Sequence, residues 1–201
     1  MDNNNILPVV LAGGKSMRFG NNKSQAQLKG KILIDYILSE IINDFREVII
    51  VANDPIEHLS SDKITKIVDF KKNLGPLGGV FSAMKWVKDN DKKYQWIVTF
   101  PSDTPFFKKK IMNSFLNKIN EKESELFFMK SNEKRHNIFG LWSMDLIDQL
   151  EKDLETGSRK VEKWANSIGV KTINMSFEKE DPFFNINTKE DLEKAENILN
   201  D

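Results

Sequence analysis

The stretch LAGGKSMRFG at residues 11–20 decides the fold prediction for this chain. It follows the apolar run ILPVVL at residues 6–11, whose length and β-branched residues are typical of a strand buried on both faces. Gly13 and Gly14 carry no side chain where the backbone would approach a ligand. Three cations follow the glycines, namely Lys15, Arg18 and Lys23. Because backbone N–H groups and fixed positive charge both favour anions, this turn suits a phosphate-bearing ligand.

The glycine turn matches neither of the common nucleotide-binding fingerprints. A Walker loop has four residues between its glycines and continues as Gly-Lys-Ser/Thr, whereas five residues separate Gly14 from Gly20, and Asn21 follows. The dinucleotide fingerprint has an acidic residue after a second strand, but Asp35 lies within a helical pattern. On this stretch alone, an ordinary tight turn with solvated basic residues is an open alternative.

The composition is that of a globular protein. The chain has 201 residues, enough for one sizeable domain. Lys plus Arg and Asp plus Glu number 30 each, and this zero formal charge argues against a protein that coats nucleic acid or an anionic membrane. The absence of cysteine excludes disulfides, thiol nucleophiles and cysteine metal sites.

No signal peptide or membrane span is recognisable in the sequence. Residues 1–5, MDNNN, lack the positive region of a signal peptide, and the apolar run after them is too short for one. No apolar stretch approaches the length of a membrane span. We therefore expect a cytoplasmic protein. His58 and His136 are too few for a histidine metal cluster.

Strand and helix patterns alternate along the chain. After the first strand, apolar runs predict strands at 48–51, 63–68, 96–100, 125–130, 137–143 and 170–175. Helical patterns occur at 34–44, after a glycine turn at 73–79, at 109–120, 144–155 and 159–167, and after Thr188. Such alternation builds a mostly parallel sheet with helices on both faces. The predicted class is α/β, with one domain over residues 1–201.

Four successive predicted strands end in candidate ligand groups, at the edge where open sheets bind ligands. Those groups are Gly13 with Gly14, Asn53, Asp69 and Asp103. Asp103 follows a strand free of charge, so its carboxylate would emerge from a rigid, partly dry platform. A carboxylate beside a cationic loop would repel phosphate unless it held Mg²⁺, which takes one or two protein carboxylates plus phosphate oxygens. The alternative for Asp103 is a turn-forming or helix-capping residue.

The nucleotide side has further candidates. Arg18 and Lys23 would stabilise negative charge on a departing phosphate group, unless they are merely solvated loop charges. Asn53 and Asp69 would contact base or ribose, and a plain turn role is their alternative.

The acceptor side has four candidates. Arg135 and His136, beside a predicted strand, would bind a second anionic substrate, or they mark a surface strand start. Asn185 and Asn187 alternate about Ile186, so both would face one side of an extended chain. Hydrogen bonding to substrate and ordinary turn or cap roles are both open for these asparagines.

Four segments together resemble the molybdenum cofactor guanylyltransferases. They are LAGGKSMRFGNNK (11–23), GPLGGV (75–80), FPSDTPFF (100–107) and NINTKEDL (185–192), in that family's order and spread over almost the whole chain. The resemblance implies a Rossmann-like nucleotidyltransferase fold. It also implies transfer of GMP from GTP to the phosphate of molybdenum-molybdopterin, with release of pyrophosphate and formation of the guanine dinucleotide.

The resemblance also implies roles for individual residues. Leu11, Ala12, Gly13 and Gly14 would contact GTP through their backbone, and Lys23 its phosphate. Asn53 and Asp69 would bind the nucleotide, Asp103 would bind Mg²⁺ and GTP, and Asn185 and Asn187 match a segment associated with the pterin. These residues complete the predicted site.

The resemblance leaves alternatives for the nucleotide and the reaction. Gly13 favours GTP, because the related cytidylyltransferases are expected to have Leu-Ala-Ala-Gly where this chain has Leu-Ala-Gly-Gly. The alternatives are a related enzyme that uses CTP or a sugar-phosphate acceptor, and a non-catalytic nucleotide- or cofactor-binding protein. The implied small-molecule partners are GTP and molybdopterin, and molybdoenzymes or their chaperones are candidate protein partners. We expect binding to neither nucleic acid nor a membrane.

Overall fold

A seven-stranded sheet forms the centre of the computed structural model, which describes residues 3–13, 26–121, 123–178 and 180–200. The strands are β1 (Ile6–Leu11), β4 (Val48–Val51), β5 (Ile64–Ile67), β6 (Trp96–Pro101), β7 (Leu126–Ser131), β8 (Lys134–Ser143) and β9 (Lys171–Asn174). Their order across the sheet is β5-β4-β1-β6-β8-β7-β9. A separate two-stranded hairpin consists of β2 (Gln27–Leu28) and β3 (Lys31–Ile32).

The strands of the large sheet are mostly parallel, as predicted. β1 pairs in parallel with both β4 and β6, β4 with β5, and β7 with β9. Within the described ranges, only β8 runs against its neighbours in this sheet. The chain passes from β1 to β4 and β5 on one side and then returns to β6 on the other. Open α/β sheets bind ligands at the carboxyl ends of the strands that flank such a reversal.

Helices cover both faces of the sheet, which confirms the predicted architecture. They are α1 (Leu33–Ile41), α2 (Gly75–Asp89), α3 (Met112–Glu121), α4 (Ile147–Glu155), α5 (Val161–Ile168) and α6 (Lys189–Ile198). Side chains of α1 and α3 join one apolar cluster, and those of α2, α4 and α5 join the cluster on the opposite face. α6 packs with the β2–β3 hairpin in a third, smaller cluster that contains Leu28, Ile186 and Ala195.

β1 is buried on both faces because its apolar side chains alternate between the two main clusters. Ile6 and Val10 belong to the α1–α3 cluster, and Leu7 and Val9 belong to the opposite one. All four are at most 3% exposed. Burial of one such side chain stabilises the fold by about 1.5–3 kcal/mol. The end of β1 is therefore a rigid point from which the following residues leave the sheet.

α2 begins earlier than the sequence predicted. The sequence predicted a glycine turn over residues 73–79. Within that range the structure has a turn only at residues 73–75, where Asn73 and Gly75 have φ angles of 66° and 65°. Gly78 and Gly79 lie inside the helix. A Cβ on Gly79 would lie 3.0 Å from Leu11 Cδ2, so the missing side chain lets α2 approach the end of β1.

β8 also begins earlier than predicted, at Lys134. Asn132 and Glu133 form the tight turn from β7, with φ angles of 46° and 61°. The pairing then shifts between Phe128–Gly140 and Met129–His136, so residues 137–139 form a bulge in β8. Arg135 and His136 are consequently the second and third residues of β8, whereas the sequence placed them just before the strand.

The remaining boundaries differ from the predictions by a few residues. α1 ends at Ile41, where residue 44 was expected, because a turn follows that brings Phe45 into the core. In the described part of the chain, no helix combines the length and hydropathy needed to cross a membrane.

Gly140→Ala should destabilise the fold by overpacking. A Cβ at this position would lie 2.6 Å from Phe128 Cε1 and 2.7 Å from Trp142 Nε1. Both rings are fully buried, and Trp142 Nε1 donates a 2.8 Å hydrogen bond to Thr99 Oγ1, which restricts relief of the clash. We expect the free energy of unfolding in urea to fall by about 1–3 kcal/mol. The exposed control Thr172→Ala should change it by less than about 0.5 kcal/mol, and an equal loss in both variants would contradict the overpacking argument.

Candidate active site

The carboxyl end of β1 is tied to the strands on both sides of it. The N–H of Ala12 donates to the carbonyl of Val51 at 2.9 Å, and the N–H of Ser102 donates to the carbonyl of Leu11 at 3.2 Å. Gly13 follows in an exposed position, and among the residues that the structure describes, a Cβ built there would meet only Asn53 Nδ2, at 3.9 Å. The backbone of residues 11–13 is therefore fixed and accessible at the point where the strand order reverses.

Asn53 and Asp69 form a reciprocal pair beside this backbone. Asn53 Nδ2 donates to Asp69 Oδ2 at 2.8 Å, and Asn53 Oδ1 accepts from the N–H of Asp69 at 3.2 Å. The second carboxylate oxygen, Oδ1, lies 3.7 Å from where a Cβ on Gly79 would be. The two side chains thus fix one another across the ends of β4 and β5, and Asp69 lies against α2.

Asp103 lies in the turn after β6 and is only 8% exposed. Its Oδ1 accepts a 3.0 Å hydrogen bond from Asn185 Nδ2, and its carbonyl accepts a 2.9 Å bond from the N–H of Ile186. The next helical turn begins at Lys109 with Lys108 as its N-cap, so Asp103 does not cap a helix. The structure instead presents Asp103 at the ligand edge of the sheet, which agrees with its predicted position.

Asn185 and Asn187 lie in an irregular segment that leads into α6. The side chain of Asn185 contacts Asp103, as described above, and is half-buried. The backbone N–H of Asn187 donates to Asp191 Oδ2 at 3.0 Å, next to the capping box that Thr188 and Asp191 form at the start of α6. Asn187 thus contributes to the helix cap, while Asn185 joins the site around Asp103.

Arg135 lies on the α5 side of the sheet. Its Nε donates to Asn137 Oδ1 and its Nη1 to Asn166 Oδ1, both at 2.8 Å. The guanidinium carbon also lies 5.8 Å from the centre of the Phe128 ring. These contacts link β8 to α5.

His136 points to the opposite face of the sheet. Its Nε2 is hydrogen-bonded to Ser131 Oγ at 2.7 Å, and its ring stacks on that of Phe183 with centroids 4.2 Å apart. Burial lowers the pKa of His136; the charge of Asp181 opposes this shift, and that of Lys134 adds to it. An imidazole in this setting is a stacking and hydrogen-bonding group and not a fixed cation. The structure therefore does not place Arg135 and His136 side by side, and their predicted contact with the acceptor stays a prediction.

Three predicted site residues lie outside the described residues: Gly14, Arg18 and Lys23. Their predicted contacts with GTP and its phosphates stay predictions. The residues that the structure does bring to one edge are Leu11, Ala12, Gly13, Asn53, Asp69, Asp103 and Asn185.

The donor groups around Asp103 fit a magnesium ion held partly by substrate. Within the described ranges, no cluster of three or more histidine or acidic side chains could enclose a metal. Mg²⁺ does not require such a cluster, since it is commonly held by one or two carboxylates together with phosphate oxygens and waters. Asp103, a hard oxygen donor beside the accessible backbone of residues 11–13, satisfies that requirement.

Sequence reasoning missed two features of this site. Gly79 was expected in a turn, although the adjacent glycines of GPLGG do signal a close backbone approach. The bond between Asn185 and Asp103 joins residues 82 positions apart, and no local pattern indicates it.

The chain is similar to known proteins over nearly its whole length. Residues 8–169 match a family described as a MobA-like NTP transferase domain. A molybdenum cofactor guanylyltransferase from Rhizobium rhizogenes is 31% identical, and the match covers 96% of this chain and 92% of that protein. One from Nitrobacter hamburgensis is 26% identical, with 94% and 92% covered.

A solved structure is similar as well. Molybdopterin-guanine dinucleotide biosynthesis protein A from Archaeoglobus fulgidus superposes with a TM-score of 0.79 at 25% identity, covering 96% of this chain and 98% of that one. These matches confirm the resemblance inferred from the motifs, and the chain belongs to the family of MobA-like NTP transferases.

Proposed function

We propose that this protein transfers GMP from GTP to the phosphate of molybdopterin. In this reaction a phosphate oxygen of the acceptor forms a bond to the α-phosphorus of GTP, the bond to the β-phosphate oxygen breaks, and pyrophosphate leaves. The relatives are named as guanylyltransferases of the molybdenum cofactor and as a molybdopterin-guanine dinucleotide biosynthesis protein, which supports GTP as the nucleotide and molybdopterin as the acceptor. The cytoplasmic location and any molybdoenzyme or chaperone partner stay predictions.

One observation carries the proposal: two fixed polar pairs flank the same accessible backbone. Asn53 with Asp69 lies on one side of Gly13, and Asp103 with Asn185 lies on the side of β6. A nucleoside triphosphate has a base that needs hydrogen-bond partners and phosphates that need charge neutralisation. The pair of Asn53 and Asp69 suits the base, and the pair of Asp103 and Asn185 suits the phosphates through a metal ion. The nucleotide can lie along the backbone between the two pairs.

The pair of Asn53 and Asp69 supports guanine as the base. Guanine presents two adjacent N–H donors on one edge, which a carboxylate can accept together, whereas adenine and cytosine have no such pair of donors. Asn53 holds the Asp69 carboxylate in place through Oδ2. Asp69 would thereby select GTP.

Mg²⁺ dependence is part of the proposal. Asp103 would hold the ion, whose chemistry is to neutralise charge on the phosphates. The hydrogen bond from Asn185 orients the Asp103 carboxylate. Arg18 and Lys23, as predicted from the sequence, would stabilise the charge that develops on the departing pyrophosphate.

The reaction needs no nucleophile from the protein, because the attacking acceptor phosphate is itself an anion. The chain's own contribution is to align two negatively charged substrates and to compensate their charge. The rigid ends of β1 and β6, joined by the bond from Ser102 to Leu11, suit that purpose.

Asp103→Ala should reduce turnover by at least about 10²–10³-fold, the usual loss when one electrostatic contact to the transition state is removed. Pyrophosphate release with GTP and molybdopterin at saturating Mg²⁺ measures the effect, and circular dichroism checks the fold. The matched control Asp148→Ala removes an exposed aspartate whose partner is Lys88, and it should leave turnover unchanged. Near-normal turnover of Asp103→Ala would refute the metal role.

Pyrophosphate release should depend on both substrates. The assay tests each of the four nucleoside triphosphates with molybdopterin, with a sugar phosphate and with no acceptor. We expect pyrophosphate release only when GTP and molybdopterin are both present. Preferential release with CTP or with the sugar phosphate would establish the related transferase instead. GTP binding without any release would establish a binding protein.

Asp69→Asn should lower kcat/KM for GTP by about 10–100-fold, because an amide cannot accept both guanine donors. The amide offers a donor in place of an acceptor, so the same variant should gain activity with XTP, whose base has a carbonyl at position 2. Equal losses with both nucleotides would show that Asp69 has a general role in the fold and does not read the base.

A further inference from the structure

We propose that His136 is a positioning residue, whose ring holds Phe183 in place and thereby keeps Asn185 on Asp103. The inference rests on the proposed function, in which Asp103 acts on the nucleotide. It gives His136 an indirect role that differs from contact with the acceptor.

The contacts that carry this inference are those of an aromatic cluster formed by His136, Phe139 and Phe183. The His136 and Phe183 rings are nearly parallel, with centroids 4.2 Å apart and an interplanar angle of 21°. Phe139 meets Phe183 edge-on, with centroids 4.9 Å apart. Phe183 is 1% exposed, and its ring packs against both of these side chains of β8.

The segment around Phe183 depends on such an anchor. Apart from residue 179, which is not described, residues 175–188 contain no helix or strand. Asp181 closes a local turn by accepting from the N–H groups of Phe183 and Phe184. Because helix and strand pairing is missing here, buried side chains and the bond from the Ile186 N–H to the Asp103 carbonyl determine where the segment lies. Asn185 lies between two anchors, the Phe183 ring two residues before it and Ile186 directly after it. A shift of the Phe183 ring would therefore move the Asn185 amide relative to Asp103.

His136 is itself firmly held. It lies in β8 opposite Met129 of β7, and its Nε2 is hydrogen-bonded to Ser131 Oγ at 2.7 Å. His136 as a whole is only 8% exposed, and one face of its ring is covered by Phe183. A ring so enclosed is poorly placed to bind a substrate and well placed to support its neighbour. The resulting chain of contacts leads from the sheet through His136, Phe183 and Asn185 to Asp103.

The first test compares two replacements of His136. His136→Leu keeps side-chain bulk but removes the flat ring, and it should lower kcat for pyrophosphate release by about 10–100-fold, the loss typical of a misplaced catalytic group. KM for GTP should stay within about twofold, because Asn53 and Asp69 lie at other strand ends. His136→Phe restores a flat ring and should recover kcat to within about threefold of the native protein.

A double-mutant cycle tests the route through Phe183. Phe183→Leu should lower kcat as His136→Leu does, and the double variant should be no worse than the poorer single variant, since both changes break one contact. Phe45→Leu is the matched control: it removes a buried ring from the same core cluster at the opposite end of β4 from Asn53, and it should leave kcat unchanged.

A measurement without substrate separates this inference from the proposed function. In ¹⁵N–¹H NMR spectra, the side-chain amide of Asn185 is identified by its loss in Asn185→Ala. Its resonances should shift or broaden in Asp103→Ala, His136→Leu and Phe183→Leu, and should stay in place in His136→Phe and Phe45→Leu. A native protein that lacks transferase activity but shows this pattern would refute the proposed function and leave the coupling intact.

Three results would overturn the positioning role. One is an Asn185 resonance unmoved in His136→Leu, even if kcat falls. Another is failure of His136→Phe to recover kcat, which would show that the imidazole itself is required. The third is a double variant whose loss is the product of the two single losses, since His136 and Phe183 would then act independently.

Discussion

Burial of β1 on both faces is the constraint on which the site depends. The strand lies between β4 and β6, and alternate side chains enter the two main apolar clusters. It therefore cannot shift its register without moving a whole set of apolar side chains to the wrong face. The backbone at Ala12 and Gly13 directly follows this strand and is held in place by it. The strand order reverses at the same position. The carboxyl ends of β4, β5 and β6 are gathered around it.

The two polar pairs of the site are held by different means. Asn53 and Asp69 follow adjacent parallel strands, so the sheet itself brings them together, and each bonds the other directly. Asp103 and Asn185 come from distant parts of the chain, and their contact depends on side-chain packing of an irregular segment. We infer that the first pair is a product of the sheet topology, whereas the second requires the aromatic cluster of β8 and the docking of α6.

The sequence is sufficient for the parts of the fold that depend on local pattern. Alternation of apolar runs and helical spacing predicts the α/β class and the mostly parallel sheet, and both are confirmed. The predicted positions of Asn53, Asp69 and Asp103 follow from the same logic, because the carboxyl ends of parallel strands share one edge.

Long-range packing explains what the sequence did not reveal. The reversed direction of β8 and the bulge at residues 137–139 arise from pairing between strands, and no single strand pattern encodes them. Arg135 and His136 are neighbours in sequence, yet the pleat of β8 sends them to opposite faces. Gly78 and Gly79 resemble turn residues by type, but packing of α2 on β1 makes them helical.

The attachment of Ile186 has a consequence for how the protein is made. Its amide bonds the carbonyl of Asp103, while its side chain lies in the cluster beneath α6. A nascent chain that has left the ribosome only as far as β9 already contains every strand of the large sheet, but not residues 185 and 186. Translation thus supplies every strand of the large sheet before the residues that complete the surroundings of Asp103.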